Sequence, residues 1–367
     1  MSEVLSVCRE CIFNKDWEII KPYILSIHSQ VRNLINLPQK PPKAEGSDIR
    51  LKCDFCINEC ILSSEDTSYC GLRNVSKNKD DSLPYPTHSK GYIHGYLDPN
   101  PTNCCNAWFC PAGTSSGYPH YSNIDGPEFG TYSYAAFLYG CSFNCLFCQN
   151  SSHKYISKKS LTDVEILATQ IAKNKKITCI CYFGGTPEPQ LPFSINLANK
   201  ILEKIKNEEP KRKFRVCWEW NGSGRRDLAE KSMQIALESG GNIKFDLKAF
   251  FEKLNLSLCG VSNKRTLENF QYLAENYFGT RGETMPEISA CTLMVPGYVN
   301  YEEVEQIARF VGGINRKIPY SLLIFHRAYQ MQDLPITPKD QVRNCLKVAK
   351  KYLDNVNLGN KFLLGFL

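Results

Sequence analysis

The sequence predicts an α/β fold, a partial (β/α)6 TIM-like barrel that follows a cysteine-rich N-terminal region. After Tyr132, short apolar runs alternate with amphipathic helical segments, and this alternation occurs six times. Strands that alternate with helices are typical of a parallel sheet with helical crossovers. Six units are too few for the closed eight-fold barrel, so we expect an open one.

The predicted strands are the apolar runs 135–138, 178–183, 214–220, 243–247, 288–295 and 321–325. The predicted helices are 163–174, 193–206, 227–239, 263–276, 301–312 and 338–352. Start signals support the first and the last of these helices. Thr162-Asp163 and Thr337-Pro338 each place a capping residue before an Asp or Pro that suits a helix N-terminus.

The chain before the barrel has a different character. Residues 4–37 show helix-like apolar spacing, and residues 38–46, with Pro41 and Pro42, have the composition of a linker. Residues 51–130 show little periodicity and cannot easily build their own core, so metal ligation would explain how they fold. The predicted organisation is a helical extension at 1–45, a cysteine-rich metal-binding region at 46–130 and the barrel at 131–367.

Composition restricts the class of protein. The 367 residues are 43% hydrophobic and 22% charged, which is ordinary for a globular protein. No apolar run is long enough to cross a bilayer, and the first ten residues lack the apolar region of a secretory signal. We therefore expect a cytoplasmic protein without a membrane partner. The net charge of +7 is spread along the chain without a nucleic-acid module, so no nucleic-acid partner is expected.

The 18 cysteines carry more information. Clustered cysteines in a cytoplasmic protein bind metals more often than they form disulfides. Twelve fall into short-spaced groups before residue 149: Cys8/Cys11, Cys53/Cys56/Cys60/Cys70, Cys104/Cys105/Cys110 and Cys141/Cys145/Cys148. The others are expected to pack as small hydrophobic side chains: Cys179, Cys181, Cys217, Cys259, Cys291 and Cys345.

The group Cys141-x3-Cys145-x2-Cys148 directly follows the first predicted strand. Three thiolates can bind three irons of a [4Fe–4S] cluster and leave one iron without a cysteine ligand. An open metal position is what substrate chemistry requires, and loops after barrel strands carry active sites. A three-cysteine zinc site and simple packing are the alternative interpretations.

With Phe147 before its last cysteine, this motif resembles that of the radical S-adenosylmethionine (SAM) superfamily. The resemblance extends from Gly130 to the end, and it is strongest to the pyruvate formate-lyase-activating enzymes and the AmmeMemoRadiSam group. It implies a [4Fe–4S] cluster whose open iron binds SAM, with cleavage of SAM to methionine and a 5′-deoxyadenosyl radical. It also implies an electron donor such as ferredoxin or flavodoxin.

The same resemblance suggests residues that contact SAM. The segment Phe183-Gly184-Gly185-Thr186-Pro187-Glu188 resembles a Gly-Gly-Glu element whose backbone meets the SAM amino group. Because the Glu is displaced here, Gly184, Gly185 and Thr186 are the assigned residues. Asn221 matches an Asn near the SAM ribose, although the preceding Trp218-Glu219-Trp220 departs from the family.

Two further elements complete the predicted site. Asp246 and Lys248 resemble the Asp-Leu-Lys element of the activating enzymes, which lies at the active site with the Lys near the SAM carboxylate. Because strand side chains alternate between faces, Asp246 and Lys248 should also point to the same side. His326 follows the sixth strand and resembles a His that approaches SAM.

The pattern Cys53-x2-Cys56-x3-Cys60-x9-Cys70 predicts a second metal centre. A closed four-cysteine site suits zinc, and a second [4Fe–4S] cluster suits the spacing equally. The AmmeMemoRadiSam proteins carry a similar pattern that ends Cys-Gly-x-Arg, here Cys70-Gly71-Leu72-Arg73.

The remaining short-spaced cysteines are a departure from those relatives. Cys8 and Cys11 could join Cys105 and Cys110 in a further four-thiolate site, and Cys104 could serve as well. The alternative is a loop over the active-site mouth that offers one thiol as a redox partner.

The predicted function is hydrogen-atom abstraction from a protein or another large substrate, with glycyl-radical generation as the specific form most similar in sequence. One alternative is a radical enzyme of small-molecule or cofactor biosynthesis that uses auxiliary clusters. The other is a non-catalytic iron–sulfur electron carrier, which would not cleave SAM.

Overall fold

The computed structural model describes residues 1–75, 85–156 and 160–365. Its strands are β1 (Leu51–Cys53), β2 (Cys60–Leu62), β3 (Lys90–Gly91), β4 (Ile93–Pro99), β5 (Tyr132–Leu138), β6 (Thr162–Asp163), β7 (Ile177–Gly184), β8 (Arg215–Trp220), β9 (Ile243–Asp246), β10 (Ile288–Met294), β11 (Tyr320–Ile324) and β12 (Val356–Gly359). Its α-helices are α1 (Arg9–Asn14), α2 (Trp17–Asn33), α3 (Val164–Lys173), α4 (Leu191–Glu208), α5 (Arg226–Ser239), α6 (Glu252–Cys259), α7 (Lys264–Tyr277), α8 (Tyr301–Ile314) and α9 (Lys339–Tyr352).

The centre is an eight-stranded sheet in the order β4-β5-β7-β8-β9-β10-β11-β12. Every neighbouring pair is parallel except β4 with β5, which is antiparallel. Within the described ranges no pairing joins β4 to β12, so the barrel is open, as predicted. All six predicted strands are present, and β4 and β12 extend the sheet at its two edges.

The six predicted helices are confirmed as α3, α4, α5, α7, α8 and α9. The short helix α6 was not predicted. The N-terminal stretch is two helices rather than one, because Lys15 is extended and Asp16 caps the second helix by accepting a hydrogen bond from the Glu18 N–H. Helices α1 and α2 both pack on α6, and one hydrophobic core runs from the N-terminus to α9.

Alternation along β7 and β8 separates the two faces of the sheet. Tyr182 and Trp218 are fully buried in the core and stack with ring centroids 5.4 Å apart. The intervening positions, such as Cys181 and Glu219, line the interior of the barrel. Polar and sulfur-containing side chains are therefore directed to the barrel interior.

No helix in the described ranges combines the length and apolarity needed to cross a bilayer.

Candidate functional site

The loop 141–148 leaves the C-terminal end of β5 and lies on α6. The Asn144 N–H donates to the carbonyl of Cys259 at 2.8 Å. Gly140 begins the loop at φ +80°, where a Cβ would lie 2.7 Å from the Leu72 side chain. Only glycine combines this backbone conformation with so close an approach.

Helix α2 supports the loop from behind. His28 is buried, with Nδ1 3.0 Å from Asn144 Nδ2 and Nε2 3.0 Å from the Ser257 carbonyl. Burial lowers the pKa of His28 to about 4, so the ring is neutral at pH 7. Lys154 Nζ donates to Asn144 Oδ1 at 3.1 Å and completes this support.

A cavity of about 190 Å³ is lined by all three cysteines of the loop, Cys141, Cys145 and Cys148. Two sulfur atoms have N–H groups nearby. The Phe143 N–H and Asn221 Nδ2 donate to Cys141 Sγ at 3.4 and 3.8 Å, and His153 Nε2 lies 3.6 Å from Cys148 Sγ. Such contacts orient metal ligands and favour the thiolate form.

The same cavity is lined by five of the predicted SAM contacts, Gly184, Gly185, Asn221, Asp246 and Lys248. Thr186 lies behind its wall, where it donates to Glu188 and accepts from the Asn221 N–H at 3.3 Å. His326 has an exposed side chain outside the lining, and only its carbonyl meets the loop, through Gln149 Nε2 at 3.3 Å.

A row of charged side chains crosses the barrel interior. Lys248 Nζ donates to Asp246 Oδ2 at 2.7 Å, so the predicted common orientation is confirmed. Lys244 Nζ lies 3.3 Å from Asp246 Oδ1 and 2.6 Å from Glu219 Oε2. Burial by itself would raise the pKa of Asp246, but Lys244 and Lys248 outweigh it and hold that pKa at about 2.

Sequence analysis missed Lys244 and Glu219 as site residues. Both line the cavity of the cysteine loop. The available signal was the alternation of β9, because Lys244 precedes Asp246 by two residues and so shares its face. Glu219 stood out only as a departure from the family pattern.

The front-end cysteines gather in a small module. Strands β1 and β2 pair antiparallel with Cys53 opposite Cys60, and all four cysteines are at most 9% exposed: Cys53, Cys56, Cys60 and Cys70. None forms a disulfide. Burial raises the pKa of Cys60 to about 12, yet its sulfur accepts from the Tyr69 N–H at 3.4 Å. A bound metal would replace the thiol proton.

This module touches the cysteine loop directly. Asn58 Nδ2 donates to the Ser142 carbonyl at 2.8 Å and lies 3.7 Å from Cys56 Sγ. The Ile57 N–H donates to the Ser223 carbonyl at 2.9 Å. The conformation of the front-end module therefore affects the backbone of the loop that carries Cys141, through the hydrogen bond from Asn58 to the Ser142 carbonyl.

The remaining predicted metal ligands lie in two places. Cys8 and Cys11 contact each other at the start of α1, with their sulfur atoms 3.3 Å apart. Cys104, Cys105 and Cys110 line a second cavity of about 610 Å³ in the barrel. Among the described residues that line it, neither Cys8 nor Cys11 is present, so the structure does not bring the two groups together.

Four of the six scattered cysteines differ from the packing prediction because they line cavities, whereas Cys259 and Cys345 lie in the hydrophobic core. Cys179, Cys181 and Cys217 line the larger cavity, because they occupy inward positions of β7 and β8. Cys291 lines the smaller cavity, and Cys259 Sγ lies 3.4 Å from Cys145 Sγ. Cys345 on α9 is fully buried in the core, as predicted.

The donor groups of the smaller cavity suit a polynuclear cluster. In the part of the chain that the structure describes, no three Cys, His, Asp or Glu side chains surround a single metal-ion position. A cluster does not need that convergence, because each thiolate binds its own iron. Gln149 Oε1 and His153 Nδ1, buried in the wall, have no partner among the described residues and could bind a polar ligand.

Residues 136–311 match the family model of the radical SAM superfamily. These residues therefore form a radical SAM domain, and the protein is an enzyme. Such domains imply a [4Fe–4S] cluster and SAM as cofactors.

Among the similar proteins are two from Methanocaldococcus jannaschii, both provisionally named as glycyl-radical enzyme activating enzymes. One is 27% identical over 226 residues, which are 61% of this chain and 79% of the relative. The other is 24% identical over 261 residues, covering 66% of this chain and 93% of the relative.

Solved structures with similarity include a domain of a pyruvate-formate lyase-activating enzyme from Bacteroides vulgatus. It is 14% identical, covers 46% of this chain and 94% of its own, and has a TM-score of 0.36. SuiB of Streptococcus suis, bound to SAM, is 15% identical, covers 59% of this chain and 47% of its own, and has a TM-score of 0.42.

Proposed function

We propose that this enzyme cleaves SAM reductively at a [4Fe–4S] cluster bound by Cys141, Cys145 and Cys148 and abstracts a hydrogen atom from its substrate. The observation that carries the proposal is the shared cavity: the three thiols line it together with Asp246 and Lys248. Three thiolates leave one iron open for SAM.

When bound, the cluster supplies the electron that converts SAM to methionine and a 5′-deoxyadenosyl radical. The chain supplies positive charge for the thiolates. Lys154 is buried beside Cys141 and Cys148, and Lys248 lies on the side of Cys145. The lysines favour the ionised sulfur, whereas burial raises the pKa of Cys141 and Cys148.

Lys248 is the proposed partner of the SAM carboxylate. Its ammonium is oriented by Asp246, whose other oxygen faces Lys244. The ammonium therefore meets the ligand from a fixed position, and a charge-assisted hydrogen bond there is roughly twice as strong as a neutral one.

The glycines Gly184 and Gly185 are proposed to face the SAM amino group with their backbone. Gly184 has φ +110°, and a Cβ on Gly185 would lie 1.9 Å from the Gly140 carbonyl oxygen. Side chains are therefore excluded at both positions, because the neighbouring backbone already fills the space of a Cβ.

Asn221 is proposed to meet the SAM ribose. Its side chain already donates to Ser142 Oγ at 2.8 Å and accepts from the Ser223 N–H at 3.0 Å. Thr186 is a positioning residue for Asn221, and His326 is proposed to approach SAM from the exposed side.

We further propose that Cys53, Cys56, Cys60 and Cys70 hold a second metal centre, either zinc or an iron–sulfur cluster. Four buried thiols in a module of few apolar residues support this, since metal binding would supply the folding free energy.

We propose ferredoxin or flavodoxin as the class of electron donor.

The proposed substrate is a protein, with a glycyl-radical enzyme as the specific case. Two relatives provisionally named as activating enzymes support this choice. An open barrel edge between β4 and β12 leaves room for a polypeptide segment.

A second candidate is a small organic substrate. The larger cavity of about 610 Å³ falls in the usual size range of small-molecule sites. It shares wall residues with the smaller cavity, among them Glu219 and Lys244. A molecule in the larger cavity would therefore lie next to the proposed SAM site.

Separated cell extract tests the substrate class. The reduced, anaerobically reconstituted enzyme is incubated with SAM and either the desalted protein fraction or the small-molecule filtrate of its source cells. If the substrate is a protein, only the protein fraction should stimulate 5′-deoxyadenosine formation. A glycyl radical on the substrate protein should then be detectable by electron paramagnetic resonance (EPR). Stimulation by the filtrate alone would support the second candidate.

A further inference from the structure

The larger cavity has an unusual lining of six thiols, Cys104, Cys105, Cys110, Cys179, Cys181 and Cys217. Barrel interiors are normally filled by branched apolar side chains. We propose that this cavity holds an auxiliary iron–sulfur cluster, bound by the thiolates of Cys110, Cys179, Cys181 and Cys217. The proposal goes beyond the SAM site and does not depend on SAM cleavage.

Three of the four thiols come from adjacent parallel strands. Cys179 and Cys181 are two residues apart on β7 and so share one face. Cys217 on β8 is the register partner of Cys181. This arrangement gives three sulfur donors on one rigid wall, as a precise metal site requires.

The fourth thiol, Cys110, comes from a loop fixed inside the barrel. Asn106 anchors that loop: its Nδ2 donates to Asn242 Oδ1 at 2.8 Å, and its Oδ1 accepts from Ser289 Oγ at 3.0 Å. The Cys110 N–H donates to the Asn106 carbonyl at 3.0 Å. Cys110 lines the same cavity as Cys179.

Buried cations and carboxylates both line the cavity, since Arg215 and Lys244 lie there with Asp98 and Glu219. Arg215 lines the cavity, and Cys179 and Cys110 both lie within its electrostatic reach. Its guanidinium is fixed by Glu128, with Nη1 2.9 Å from Oε1. Lys244 supplies a second buried cation in the wall that the two cavities share. Buried cations of this kind offset the charge of thiolate ligands.

The donor type and its arrangement select the ligand. Thiolates favour iron–sulfur clusters, zinc and Cu(I). In a cluster each thiolate binds a separate iron, so the thiols, which surround no single ion position among the described residues, need not converge on one. Cys104 and Cys181 both donate to Glu219 Oε1, at 3.0 and 3.4 Å, so ligation by Cys181 requires that it gives up this hydrogen bond.

Iron counting on the intact protein is the first test. The cysteine loop and the front-end module together can hold at most about eight irons as two [4Fe–4S] clusters. Iron and sulfide are counted in the wild type, Cys53→Ala, Cys141→Ala and the double variant after anaerobic reconstitution and removal of unbound iron. An auxiliary cluster predicts that about four irons and four sulfides of the wild-type content are not explained by the losses in these variants. A wild-type content fully explained by those two sites would overturn the proposal.

The second test uses Cys179→Ala and Cys217→Ala, with Cys345→Ala as the matched control of a buried cysteine outside the cavity. Each of the first two should lose about four irons per chain and keep the EPR signal of the SAM-binding cluster, including its change on SAM addition. The control should lose none. Unchanged iron in folded Cys179→Ala and Cys217→Ala, or loss of zinc instead of iron, would contradict an iron–sulfur cluster here.

Discussion

The ammonium group of Lys248 lies 2.7 Å from Asp246 Oδ2, in the wall of the cavity that also receives the three thiols of the 141–148 loop. Asp246 in turn lies between Lys248 and Lys244. A carboxylate placed between two lysines fixes both ammonium groups. The ammonium group of Lys248 is therefore held in a fixed position in the cavity wall, where it could bind an amino-acid carboxylate.

Replacing Lys248 by Met should weaken SAM binding about 10- to 100-fold, because a hydrogen bond to a charged group contributes about 1.5–3 kcal/mol. Iron content should not change, since Lys248 is not a thiolate ligand. Equilibrium binding of SAM to the reconstituted protein measures the effect. Lys347→Met, at an exposed position of α9, is the matched control, and equal affinity of the two variants would refute the assignment.

Replacing Lys244 by Met should destabilise the fold by about 3–5 kcal/mol, because Glu219 would lose its ion pair and Asp246 would keep only Lys248. Adding Glu219→Gln should recover part of that loss. Urea unfolding of the single and double variants measures it. Strictly additive losses would show that Lys244 and Glu219 do not interact energetically.

Removing one front-end thiol should release the second metal. Cys56→Ala is expected to lose about one zinc or about four irons per chain. It should also loosen the 141–148 loop, because Asn58 connects Cys56 to the Ser142 carbonyl. Metal analysis and hydrogen exchange at the loop measure both effects. Cys11→Ala is the control, and equal metal content in the two variants would exclude a four-cysteine site.

Glu188 should make stability depend on pH. It is buried behind Thr186, and burial raises its pKa from 4.5 to about 7. Between these two values the folded state binds more protons than the unfolded state, so the free energy of unfolding falls as pH rises.

The fall should amount to a few kcal/mol between about pH 4.5 and about pH 7. Glu188→Gln should flatten that part of the stability curve, which urea unfolding at several pH values would measure. An equally steep curve for the variant would assign the dependence to other groups.

Sequence patterns predicted the barrel well because its strands and helices have strong, regular periodicity. They missed β12 because it has only four residues, and β4 because its sequence, Ile-His-Gly-Tyr-Leu-Asp-Pro, lacks apolar alternation. Helix α6 has eight residues, too few for a clear helical period.

Several of the predicted site residues lie together in the structure for a similar reason. Motif order indicated Gly184, Asn221, Asp246 and Lys248, which line one cavity. Cys179, Cys181 and Cys217 were interpreted as packing residues. In a strand sequence, a cysteine that lines a cavity cannot be distinguished from one that packs as a small apolar side chain. Only the three-dimensional arrangement shows that this face of β7 lines a cavity rather than the core.

Formation of 5′-deoxyadenosine from SAM tests the central claim most directly. The reconstituted protein, reduced under anaerobic conditions, should produce 5′-deoxyadenosine and methionine in equal amounts. Cys145→Ala should produce neither, while Cys345→Ala should match the wild type. Equal product from Cys145→Ala and the wild type, or none from a wild type that carries its iron–sulfur cluster, would contradict the account.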